Sequence, residues 1–261
     1  MPVDRWRPWL ATGTALADCF IRAVRAATSS QELASLMEAV TADMGFRHYA
    51  LIHHADLRGA PPGRVNIKHY PELITARLID GGAYRRDPVL RACAFADAAF
   101  LWSEIDRIIA LDRRDRLALE AGLALGLNEG ITVPCSLLGD TLGSCTFAGT
   151  RRPGSVARLL GPAQMIGVFA FQAARRLILG PRPLVALPRL QPRQRDCVVL
   201  VGRGLSNKQI ARALGLTPRT IDGYMTEARE LFDAHGRTEL VVSALFAGEV
   251  GLDELRQGES G

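Results

Sequence analysis

Residues 190–246, LQPRQRDCVVLVGRGLSNKQIARALGLTPRTIDGYMTEARELFDAHGRTELVVSALF, carry helix-forming residues almost throughout, with punctuation at a few sharp places. Ser206 followed by Gln209 is a capping-box pattern, so a short helix runs from Asn207 to about Leu214 and stops at Gly215. Thr217 and Pro218 cap and open the next helix, whose Ile221, Met225 and Ala228 recur on one inward face. Two helices joined by a short glycine-containing turn make a helix-turn-helix. The start of the second helix presents backbone N–H groups together with Thr217, Arg219 and Thr220, which suit phosphate oxygens and base edges in a major groove. Ser206, Asn207 and Lys208, at the start of the first helix, are placed to hold the phosphate backbone. From spacing alone, a helical hairpin that only packs fits as well.

The charge distribution is compatible with the nucleic-acid reading without deciding for it. Residues 189–229 hold eight Arg or Lys against three acids, within a chain whose net charge is only +5, and the last 32 residues reverse the sign. A compact basic segment followed by an acidic tail suits a polyanion-binding surface with a separate packing element, although a solvated charged face is the commoner cause of such bias.

The same stretch resembles the helix-turn-helix of LuxR-type regulators. The likeness runs from Leu190-Gln191-Pro192-Arg193 through Gly204-Leu205-Ser206-Asn207-Lys208-Gln209-Ile210-Ala211 to Thr220-Ile221 and Arg237-Thr238-Glu239-Leu240-Val241. It implies a recognition helix from Thr217 to about Phe232, with Tyr224 among the residues at DNA, and a final helix, about Arg237 to Glu249, on which two copies pair. Three positions depart from the family: Gln194 stands for an acid, Asp222 for a basic or polar residue, and Tyr224 for a frequent His. Gly223 also costs about 1 kcal/mol of helix propensity relative to Ala. An unusual operator and weaker binding are the expected consequences.

Working outward, Leu179–Arg189 (LGPRPLVALPR) packs three prolines and a glycine into eleven residues and cannot continue a helix. It reads as a linker, so 1–178 and 190–261 are separate domains. Before it, QELASLMEAVTADMG (31–45) and GPAQMIGVFAFQAARRLIL (161–179) have helical periodicity. YALIHHA (49–55), RVNIKHY (64–70), GITVPCSL (130–137) and TLGSCTFAG (141–149) read as strands, the last two forming a hairpin that turns near Gly139-Asp140. The expected class is α+β: an N-terminal α/β/α sandwich around an antiparallel sheet, and an all-α C-terminal domain. Only 257–261 reads as a disordered tail.

HYPELITARLIDGGAYRRDPVLRACAFADAAFLWSEI (69–105) resembles the autoinducer-binding domain of quorum-sensing LuxR proteins, with Asp87-Pro88-Val89 and Trp102-Ser103 fifteen residues apart and Gly130-Ile131-Thr132-Val133-Pro134 as the next landmark. The resemblance covers residues 30 to 178. It implies that Asp87 accepts the amide N–H of an acyl-homoserine lactone, that Trp102 packs on the head group, and that Tyr70 and Thr146 approach the acyl carbonyl. Ile74 stands where the family has a Trp that donates to the lactone carbonyl, and Leu78 where it has a Tyr. An unpaired carbonyl there costs about 1–3 kcal/mol. The expected ligand is therefore an acyl-homoserine lactone or a related amide with a more apolar head group, as in an orphan member of the family. Read without the resemblance, Asp87 caps the turn before Pro88 and Trp102 is core.

The remaining features exclude other classes. With 48% hydrophobic and 23% charged residues the composition is that of a soluble globular protein, and the N-terminus lacks a secretion-signal pattern, which places the chain in the cytoplasm with no membrane partner. Five scattered cysteines never spaced C-x-x-C argue against disulfides and zinc. His48, His53, His54 and His69 cluster near one sheet, but His53 and His54 point to opposite faces of a strand, so no metal is expected. No nucleophile with a matching base, phosphate loop or spaced carboxylate pair suggests an enzyme. The functional expectation is a homodimeric regulator that reads a palindromic double-stranded operator under control of a small ligand, with no cofactor. The alternatives are a ligand-independent regulator, and a decoy that forms inactive heterodimers with a related regulator.

Overall fold

The computed structural model describes residues 13–54, 63–70, 75, 86–136, 141–150, 152–180 and 188–256. Ile74, Leu78, the hairpin turn near Gly139-Asp140, positions 181–187 of the linker and the tail 257–261 lie outside the described residues. The chain divides into two compact units, Met1–Arg182 and Pro183–Gly261.

The first unit is built on a five-stranded antiparallel sheet, β1 (Phe46–His53), β2 (Asn66–His69), β3 (Phe100–Leu101), β4 (Gly130–Cys135) and β5 (Gly143–Thr150), in the order β2-β1-β5-β4-β3. Because side chains alternate along a strand, one face carries Tyr49, Leu51, Ile131, Val133, Cys145 and Phe147, all buried in the main core. Helices α1 (Gly13–Ala26), α2 (Ser30–Asp43) and α5 (Leu160–Leu179) supply Phe20, Val24, Leu33, Met37, Ile166 and Phe171 to that core. Helix α5 is long and apolar enough to cross a membrane by composition, but here Ala163, Ile166, Gly167, Ala170, Phe171 and Ala174 are buried along its length. Arg176 of α5 donates to the carbonyl oxygens of Val24, Arg25 and Ala27 at 3.3, 2.9 and 2.8 Å, pairing a cation with the carbonyl-rich C-terminal end of α1.

Across the sheet lie α3 (Pro88–Ala92), a 3₁₀ turn (Trp102–Arg107) and α4 (Arg113–Ala124). They carry a smaller core of Val89, Ala92, Cys93, Phe100, Ile105 and Ile109. Periodicity does not reveal α4, since its Leu117 and Leu123 are 52% and 55% exposed and only Leu119 packs inward. Polar contacts fix it instead: Asp112 accepts from the Asp115 N–H, and the buried Asp115 carboxylate accepts from the Asp112 N–H and from Arg91 of α3. The strand and helix limits expected from sequence agree with those observed to within three residues at their ends.

The second unit is all helical: α6 (Pro192–Gly202), α7 (Asn207–Leu214), α8 (Pro218–Leu231), α9 (Arg237–Phe246) and α10 (Leu252–Leu255) around Cys197, Val198, Ile210, Ile221, Met225, Ala228, Leu240 and Ala244. Helix α7 ends on Gly215 at φ 67°, the left-handed conformation glycine adopts without penalty. Helix α9 ends three residues earlier than expected, ahead of Gly248 at φ 75°.

Candidate functional site

In the first unit, the sheet face turned away from the main core carries His48, Ala50 and Ile52 on β1, Thr132 on β4, and Ser144, Thr146 and Ala148 on β5. Thr146 is buried, and its hydroxyl lies 3.1 Å from that of Thr132, which accepts from Trp102 Nε1 at 2.9 Å. Trp102 can lie across β4 because Gly130 has no side chain; a Cβ there would come within 2.7 Å of the indole. Tyr70 stacks on His48, with ring centroids 5.8 Å apart, and packs with Trp102 against Leu127 and Ala148. The structure thus brings Tyr70, Trp102 and Thr146 to one sheet face.

Asp87 precedes α3 and is partly buried, and its Oδ1 accepts from the Val89 and Leu90 N–H groups at 2.9 and 3.1 Å. In this geometry the residue caps a turn, and Oδ2 has no hydrogen-bond partner among the described residues. Desolvation pushes its pKa up to about 6 against the two N–H bonds, with the Asp115 charge adding to the rise. Burial also raises the Tyr70 hydroxyl well above its ordinary range, with the Asp87 charge the next contributor.

Sequence reasoning missed Thr132, which joins Trp102 to Thr146, and the buried Ser144, whose hydroxyl lies 2.9 Å from His54 Nε2. Strict alternation along β4 and β5 from Gly130 and Thr146 is the signal that could have found both. Desolvation, with His53 adding to it, lowers the His54 pKa to about 4, so its ring is neutral. Among the described residues no cluster of His, Cys, Asp or Glu has the arrangement of a metal site.

In the second unit, Gln209 Oε1 accepts from both the N–H and the hydroxyl of Ser206, at 2.8 and 2.7 Å. Thr217 caps α8 through the Thr220 N–H, and the two hydroxyls lie 2.8 Å apart. Lys208 and Arg219 are exposed, whereas Tyr224 is half-buried against the helical core. Asn207 turns its amide Nδ2 to the Asp222 carboxylate on α8.

Gln194 is buried; its Oε1 accepts from the Gln191 N–H and its Nε2 donates to Glu227 of α8 at 2.9 Å. An acid at 194 would set two carboxylates face to face. We expect Gln194→Glu to lower the stability of this unit by about 1–3 kcal/mol at neutral pH. The loss should shrink on acidification, since a proton shared between the two carboxyls relieves the repulsion, read from urea midpoints at pH 7 and pH 4.5.

Residues 29–176 match the autoinducer binding domain family, and residues 188–244 match the luxR family of bacterial regulatory proteins. The HTH-type transcriptional regulator y4qH of Sinorhizobium fredii is 23% identical over 190 residues, 71% of this chain and 57% of its own length. The two-component response regulator PprB of Pseudomonas aeruginosa is 40% identical over 55 residues, 21% of this chain and 20% of its own. The chain thus spans little more than half, or far less, of the curated relatives it matches. Escherichia coli SdiA has the same fold, with a TM-score of 0.57 at 17% identity over 91% of this chain and 99% of its own. SdiA in complex with octanoyl-rac-glycerol gives 0.55 at 17% identity over 90% and 95%. With the first of these domain matches covering more than half of the chain and the second its helix-turn-helix, the protein belongs to the LuxR-type regulators, with an autoinducer binding domain followed by a luxR-family helix-turn-helix unit.

Proposed function

We propose that this regulator is controlled by a small amide-bearing molecule held over the polar sheet face of the first unit, and that the loaded protein binds a palindromic operator as a homodimer in the cytoplasm. The arrangement at Asp87 carries the reading: a partly buried carboxylate with one oxygen used by α3 and the other available, above a face furnished by Tyr70, Trp102 and Thr146. A desolvated carboxylate is stabilised by an N–H donor, so an acyl amide such as an acyl-homoserine lactone is the matching chemistry. Ile74 and Leu78 make an apolar head-group region the expected counterpart. The neutral ester that SdiA binds makes a second ligand class worth including.

Melting temperature and solution mass, measured with and without a panel of acyl-homoserine lactones, acyl amides and monoacylglycerols, test this directly. A rise of several degrees with one compound, accompanied by a dimer, is the expected result. An already stable dimer that responds to none of them moves the reading to a ligand-independent regulator.

A further inference from the structure

The outward stripe of α8 is unusual for a helix that enters a major groove. Arg219, Asp222, Gly223, Thr226 and Glu230 are all exposed and recur at helical spacing, giving one base against two acids. Phosphate attraction therefore comes from the exposed Lys208 and Arg212 of α7 and from Arg219, and the acids must serve another purpose or oppose binding. Asp222 is held in place: one carboxylate oxygen accepts from Asn207 Nδ2, at the N-terminal, partly positive end of α7, and the other oxygen has no hydrogen-bond partner among the described residues. Beside it, a Cβ on Gly223 would meet nothing within 4 Å, so the helix surface next to Asp222 is low and open to close approach by a base pair.

Resting on the DNA-binding role of this helix-turn-helix, we propose that Asp222 is a specificity-determining residue that selects cytosine at one position of each operator half-site, by accepting from its exocyclic N4 amine. A fixed carboxylate can only accept. Guanine shows it N7 and O6, and thymine O4, all acceptors; adenine offers N6 but sets N7 beside it. Cytosine alone presents a major-groove donor with no acceptor on its own edge. Asn207 takes part as a positioning residue, since its amide aims the carboxylate.

Selection from a randomised duplex library with the full chain, followed by binding titrations at one fixed salt concentration, tests this. The wild-type protein should prefer cytosine at one half-site position by about tenfold or more. Asp222→Ala should lose the preference at that position alone, and Asp222→Asn should shift it toward adenine, the base whose N6 and N7 match an amide. Glu230→Ala removes the same charge from the same stripe and should keep the cytosine. If Asp222→Ala selects the same sequences as wild type with uniformly higher affinity, Asp222 acts only by repelling phosphates and the proposal is overturned while DNA binding stands. If the wild type selects no duplex at all, with or without each compound of the ligand panel, both the proposal and the DNA-binding reading fall.

Discussion

Gly167→Leu is expected to destabilise the first unit by about 3 kcal/mol or more. On α5, a Cβ at this position would lie 2.8 and 2.9 Å from Val133 of β4 and 3.1 Å from Cys145 of β5. The Val133 Cβ and the Cys145 Cβ are anchored to the sheet backbone and cannot swing aside as a flexible side-chain end would. Larger residues must push the helix off the sheet, opening the core that Ile131, Phe147, Ile166 and Phe171 share. Leucine is the cleaner probe than alanine, because Gly→Ala in a helix interior gains about 1 kcal/mol of propensity that masks part of the clash. Trp102 is packed within the first unit and no tryptophan follows it in the chain, so tryptophan fluorescence reports the first unit, while the second unit keeps its own core. In urea, the tryptophan midpoint should fall sharply and a helical transition seen by circular dichroism should persist. An unchanged tryptophan midpoint would show that α5 does not sit this close to the sheet.

The second large effect is a pair of opposed pH dependences that both run through Asp87. Its pKa is raised from 3.8 to about 6 by desolvation. For a carboxyl raised in the folded state, the stabilising contribution is fully present below the unfolded value and is lost as the pH climbs through the folded one. The ligand-free chain should therefore gain roughly 2–3 kcal/mol from this group on acidification from pH 7 toward pH 4, set against losses at other carboxylates. Ligand binding runs the other way. An amide N–H donates more strongly to the charged carboxylate than to the neutral carboxyl, so affinity should fall below about pH 6. Asp87→Asn should flatten both slopes relative to wild type and weaken an amide ligand about ten- to hundredfold. It keeps an acceptor for the Val89 and Leu90 N–H groups, so α3 should still form. Melting curves and ligand titrations at pH 7, 6 and 5 separate these outcomes; slopes identical to wild type in the Asn chain would remove Asp87 from the site.

Legibility differed between the two units for a physical reason. In the second, the signals are local: Ser206 with Gln209, Thr217 with Pro218 and Gly215 at the turn each act within one helical turn, and α7 and α8 fall where those residues place them. Local signals could not show that the Asp222 carboxylate would be occupied by Asn207, fifteen positions away and on another helix. Nor could they show that Glu227 of α8 would meet Gln194 of α6 and make an acid at 194 unsuitable.

In the first unit the amino-acid sequence by itself determined the class. Alternation over β4 and β5 and helical periodicity over α2 and α5 were enough for an antiparallel sheet flanked by helices, while the candidate ligand role of Asp87 and Trp102 came from the family resemblance around them. Only the tertiary structure decided how that face is assembled, because strand order β2-β1-β5-β4-β3 is a matter of pairing between distant segments. That pairing puts Thr132 opposite Thr146, and so turns Trp102, Thr132 and Thr146 into one connected polar row. The placement of α4 was decided in the same way, by a buried Asp115 meeting Arg91 of α3 rather than by any apolar stripe. Helix caps and strand alternation depend on neighbours a few bonds away and are written in the chain; a site depends on which remote side chains share a volume, and that is set when the sheet closes and the helices dock on it.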